Sequence, residues 1–71
     1  MTYKISEIMK VLKLGERSTR KLLVDAGTPI AELDTNPQET VTREAVVDLW
    51  ADRVGTREQR LLSQLLRKAN Q

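Results

Sequence analysis

ERSTRKLLVDAG, residues 16–27, is the stretch on which the fold turns. Thr19, Leu22, Leu23 and Ala26 recur at helical spacing, which predicts a helix from about Glu16 to Ala26, stopped by Gly27. With that stripe turned inward, Arg17, Ser18, Arg20 and Lys21 are left mainly outward, clustered in the first turns. Upstream, Ile5, Ile8, Met9 and Leu12 predict a second amphipathic helix over residues 5–13, with Lys4, Lys10 and Lys13 toward water and Ser6 or Lys4 near its start. Gly15 falls just past that helix, where a tight turn is easiest. Two short helices separated by a few residues around a glycine fit a helix-turn-helix.

Downstream the pattern changes. TPIAELDTNPQETV, residues 28–41, contains Pro29 and Pro37, which bar a continuous helix, and Thr35, Asn36, Pro37 and Gln38 make a turn. This predicts a β-hairpin with strands at 30–33 and 39–42, too short to stand without the helices. Thr42 reads as the N-cap of a helix over 43–53, with Glu44 in its first turn and Ala45, Val46, Leu49 and Trp50 on its buried face, ending at Gly55. A fourth helix starts at Thr56 with Gln59 three residues on, a capping box, and carries Leu61, Leu62, Leu65, Leu66 and Ala69 on one stripe. The predicted architecture is mainly α with a small β-hairpin.

A chain of 71 residues makes one domain at most and buries only about 60% of its unfolded surface, so packing has little to spare. It has no cysteine and no histidine. That removes disulfides, the usual zinc ligands, the thiol nucleophile and the commonest general base, and no phosphate-cradling glycine loop is present. The sequence therefore points away from an enzyme and calls for no cofactor or metal. Glu44, Asp48 and Asp52 stand four apart and imitate a metal site, but a solvated acidic face accounts for them. No apolar run approaches the roughly 18 residues of a membrane span, and the opening residues are amphipathic, so a cytoplasmic protein is expected.

Charge is segregated along the chain although its total is only +2. Lys4, Lys10, Lys13, Arg17, Arg20 and Lys21 against Glu7 and Glu16 give residues 1–24 a net +4. Arg43 against Asp25, Glu32, Asp34, Glu39, Glu44, Asp48 and Asp52 gives residues 25–52 a net −6, and Arg53, Arg57, Arg60, Arg67 and Lys68 against Glu58 return the tail to +4. A polyanion would be drawn to the two ends and repelled by the middle. Duplex DNA is read by a helix that carries donors to base edges and cations to phosphates, and Arg17, Ser18, Arg20 and Lys21 are the candidates for that helix face. Lys4, Lys13, Arg43, Arg57 and Arg60 are candidate phosphate contacts.

YKISEIMKVLKLG (3–15), RSTRKLLVDAG (17–27) and above all VTREAVVDLW (41–50) resemble, in order and spacing, the winged helix-turn-helix of phage and plasmid excisionases and the related DNA-binding domains of MerR-type regulators. The resemblance covers about residues 3–53. It implies a winged helix-turn-helix domain over 1–53. The amphipathic helix of 54–71 lies outside it, and its Leu61, Leu62, Leu65 and Leu66 either complete the core or serve self-association, as a dimer or head to tail on DNA. The resemblance also implies a double-stranded DNA partner and, for an excisionase acting as a recombination directionality factor, an integrase or recombinase whose direction is set by binding and bending DNA. A small transcriptional repressor or activator has the same fold, and a terminase small subunit a similar domain. Wings of the family are rich in Arg and Lys, whereas AELDTNPQET has neither, so any DNA contact there falls to Thr35, Asn36 and Gln38. The acidic wing equally suits a protein-interaction module, such as an antirepressor, with a degenerate DNA surface.

Overall fold

The computed structural model describes residues 1–52 and 54–68, so the expectations for Arg53, Ala69 and the end of the chain, and for the side chains of Asp52 and Lys68, lie outside the described residues. In chain order the elements are β1 (Thr2–Lys4), α1 (Ile5–Leu12), α2 (Glu16–Asp25), β2 (Thr40–Thr42), α3 (Arg43–Asp52) and α4 (Thr56–Lys68). The protein is mainly helical, with one small antiparallel sheet of two strands.

Local chemistry sets the helix ends. The Lys4 N–H before α1 donates to Glu7 Oε1 at 3.0 Å, half of a reciprocal cap. The next two amides, Ile5 and Ser6, donate to the carbonyls of Glu39 (2.8 Å) and Pro37 (2.9 Å), so the orphan donors of α1 are satisfied by a segment more than thirty residues away. Lys13, not Gly15, takes the left-handed conformation that ends α1 (φ 57°), while Gly15 is extended and precedes α2. Gly27, at φ +99°, closes α2: its amide and that of Thr28 reach back to the carbonyls of Val24 and Leu23, both at 2.9 Å. Thr42 caps α3 as its sequence predicts, its Oγ1 accepting from the Ala45 amide at 3.2 Å.

The expected hairpin does not form. β2 pairs instead with β1, in the register Thr2↔Thr42, Tyr3↔Val41 and Lys4↔Thr40, and residues 30–33 are a loop. The reason is burial: Tyr3 and Val41 face each other in the core, a partner that residues 30–33 do not offer. The capping box expected at Thr56 and Gln59 is also replaced. Thr56 is already the first residue of α4, the Gln59 amide bonds the Gly55 carbonyl at 2.9 Å, and the Gln59 side chain donates to the Trp50 carbonyl at 2.8 Å.

One core gathers every element. Tyr3, Ile5, Ile8, Leu23, Val46, Leu49 and Leu62 are its innermost apolar side chains, and Leu66 of α4 lies at its edge. α4 lies against α1 and α3. Trp50 Nε1 donates to Ser63 Oγ at 2.9 Å, and Arg43 Nη1 donates both to Tyr3 Oη and to the Leu66 carbonyl at 3.1 Å, in the last turn of α4. No described helix is long and apolar enough to cross a membrane.

Because Leu62 is fully buried on α4, which packs against α1 and α3, Leu62→Ala is expected to cost about 3 kcal/mol of unfolding free energy. Leu65→Ala, at a half-buried position, is expected to cost less than half of that; urea denaturation followed by circular dichroism measures both.

Candidate nucleic-acid interface

The face of α2 that the sequence predicts is divided by the structure. Arg17, Ser18 and Lys21 are exposed, whereas Thr19, Arg20 and Leu23 are buried and Leu22 is half-buried. Arg17 and Lys21 stand four apart, and Ser18 and Lys21 three apart, so these three side chains share one ridge on the first two turns of the helix. Asp25, also exposed, ends α2 with the opposite charge.

Arg20 is a correction. Its side chain is 0% exposed, and its guanidinium faces the segment between α2 and β2 rather than solvent. Nε donates to Glu16 Oε2 at 3.0 Å, Nη1 to the Ala31 carbonyl at 2.9 Å, and Nη2 to the Asn36 carbonyl at 3.1 Å and Glu39 Oε1 at 2.7 Å. Glu16 Oε2 also accepts from the Asn36 amide at 2.6 Å, so one carboxylate oxygen joins helix, guanidinium and loop. The fork of fixed donors lets a single cation hold two carbonyls and two carboxylates at once, which a point-like ammonium cannot reproduce.

Burial works against the charge on Arg20, but the hydrogen bonds to Glu39 and Glu16 and their Coulomb attraction outweigh it and hold the guanidinium above its usual range. The stabilisation lent by a raised cation is complete below its free value and fades only as pH climbs through the folded one. Arg20 therefore stays charged at every pH at which such a protein is handled.

The segment held by Arg20 has its own internal order. Asn36 Oδ1 accepts from the Gln38 amide at 3.2 Å, the Asn36 carbonyl from the Glu39 amide at 3.0 Å, and Asp34 Oδ1 from the Thr35 amide at 2.8 Å. Thr35, Asn36 and Gln38, the candidate tip contacts, are exposed, but Asn36 is committed on both its carbonyl and its side-chain oxygen. Glu32 and Asp34 lie across a hollow of about 330 Å³ from Arg17, which places negative charge beside the start of the α2 ridge.

The remaining candidates are dispersed. Lys13 is exposed in the turn between α1 and α2, beside the ridge in sequence, and Lys4 is exposed at the junction of β1 and α1. Arg43 is a second correction: half-buried, it bonds Tyr3 and Leu66 and so serves as a brace between β1 and α4. Arg57 and Arg60 are exposed on α4, whose neighbours are α1 and α3. Of the apolar stripe on α4, Leu62 and Leu66 are core residues, and Leu61 and Leu65 are half-exposed. Glu44 and Asp48 are exposed, and no group of three potential metal-ligating side chains occurs among the described residues. The residue that sequence reasoning missed is Glu39: its role depends on a partner nineteen positions earlier, and only the buried arginine would have signalled it.

Removing the guanidinium strands two carboxylates and two carbonyls. Deep ion pairs lose about 3–5 kcal/mol when one partner is removed. Here Glu16 and Glu39 keep 17% and 31% of their side chains in solvent and rehydrate, so Arg20→Ala is expected to cost about 2 kcal/mol. Arg20→Lys is expected to recover less than half of that, and in both variants amide exchange of residues 31–36 is expected to rise well before the helices open. Comparison of the chain with protein-family models, with curated proteins and with solved structures returned no match.

Proposed function

We propose that this protein binds double-stranded DNA as a winged helix-turn-helix, with α1, the turn at residues 13–15 and α2 as the helix-turn-helix and the segment 28–39 in the position of the wing. The observation that carries this reading is the ridge of Arg17, Ser18 and Lys21, exposed on the first two turns of a helix whose opposite side is locked into the core. Helices docked in the major groove present these turns to base edges. Arginine offers a guanine two parallel donors, serine bonds either base type, and lysine neutralises phosphate. Lys13, exposed four residues before Arg17, adds a cation to the turn that precedes α2.

Within that reading, an excisionase that binds and bends DNA for an integrase is the first choice, on the strength of the sequence resemblance. A small transcriptional regulator of phage or bacterial type is the alternative. The acidic segment favours a second class of reading: Glu32 and Asp34 flank the ridge and oppose phosphate, as suits a module that contacts protein.

The DNA reading predicts that Arg17→Ala weakens binding to a selected duplex by about 1–3 kcal/mol and relaxes specificity at one position. Lys21→Ala is expected to weaken all duplexes alike and to flatten the salt dependence by about one unit of logarithmic slope. Fluorescence anisotropy over a salt series checks both. Selection from a random duplex pool separates the rest: spaced direct repeats support an excisionase, an inverted repeat a dimeric regulator, and a pool without enrichment, together with salt-insensitive binding, the protein-interaction module.

A further inference from the structure

The segment 28–39 has an order that DNA binding alone does not require. Arg20 and Glu16 fix it from within, yet its one large apolar side chain beyond Ile30, Leu33, is 71% exposed. A single exposed leucine is ordinary on a flexible surface. This one is carried on a segment held by a buried charge cluster, between Glu32 and Asp34, and a pre-ordered side chain loses little freedom when it is captured.

On another part of the surface α1 and α4 leave a hollow of about 400 Å³. Val11, Leu61 and Leu65 give it an apolar floor, and Lys10 and Gln64 stand on its rim. Glu7 shares the rim, but one of its carboxylate oxygens is engaged by the Lys4 amide. Arg57 and Arg60 are exposed on the preceding turn of α4 beside the half-buried Glu58, so Lys10 and the two arginines outnumber Glu7 and Glu58 around this hollow, whereas Glu32 and Asp34 outnumber Arg17 around Leu33. The hollow beside Leu33 and this one share no lining residue.

We infer that the α1–α4 hollow of one molecule receives the Glu32-Leu33-Asp34 corner of a second copy of this chain. Leu33 enters among Val11, Leu61 and Leu65, and its two flanking carboxylates meet Lys10 and the arginines of α4. The two surfaces differ, so the contact is heterologous and propagates into chains unless it closes into a ring. The area of one loop corner is small, which places the association in the weak, transient class. DNA is no part of the contact, and the inference stands or falls separately from the DNA reading.

Sedimentation velocity of the full chain without DNA, from micromolar to millimolar concentration at low salt, tests it. The weight-average mass of the native protein is expected to rise with concentration and to fall back when salt is added. Leu33→Asp and Lys10→Glu, both at exposed positions and with folding checked by circular dichroism, are each expected to remain monomeric. A mixture of Leu33→Asp, which keeps the native hollow, and Lys10→Glu, which keeps the native corner, is expected to form one-to-one pairs and nothing larger. A native protein that stays monomeric at millimolar concentration overturns the inference. So does association that survives Leu33→Asp, which would place the contact between α4 helices, and so does failure of the Leu33→Asp and Lys10→Glu mixture to associate.

Discussion

A positive charge with no access to solvent has to be answered by its neighbours, and in this protein the answer shapes the surface. Arg20 is fully covered on the inner side of α2, and its donors are met by Glu16 one turn back, by Glu39 next to β2 and by two carbonyls of the intervening segment. Apart from Glu16, none of these acceptors is in place unless the chain between Gly27 and Thr40 follows one path. The same path delivers the carbonyls of Pro37 and Glu39 to the first amides of α1 and brings Val41 opposite Tyr3. A domain of this size has few buried apolar side chains with which to impose order, and a polar cluster of this kind supplies direction that packing alone does not.

The division of labour on α2 follows from it. Of three cations in five residues, one is turned inward and two remain outward with Ser18 between them. The outward pair is what a polyanion meets. The acidic residues of the central segment are divided too: Glu39 neutralises Arg20 within the fold, while Glu32 and Asp34 border the outer surface beside Arg17. Any ligand that approaches α2 therefore meets positive charge on the helix and negative charge at one flank, which orients it.

The helices were legible because their apolar stripes are local: Ile5, Ile8 and Leu12, then Leu23, then Ala45, Val46 and Leu49, then Leu62 and Leu66 all fall where periodicity puts them. The cap at Thr42 was legible for the same reason. What the sequence concealed is long-range. The pairing of Thr2–Lys4 with Thr40–Thr42 joins the beginning of the chain to its middle, and no turn signal marks it. The hairpin expectation followed from Pro37 and its neighbours, which do make a turn, but one whose hydrogen bonds go to α1 and Arg20 rather than across a ladder. Arg20 and Arg43 read as surface residues because a cation is normally exposed, and apart from Glu16 the partners that hold them lie eleven to forty positions away.

Arginine side-chain resonances test the account most directly. In a nitrogen-labelled sample titrated with a mixed-sequence duplex at low salt, the Nε–H of Arg20 is expected to be protected from exchange, restricted in motion and unmoved by DNA, while the exposed Arg17 exchanges fast and shifts on binding. Equal averaging of both side chains in the free protein, or an Arg20 signal that moves with DNA while Arg17 stays still, would contradict it.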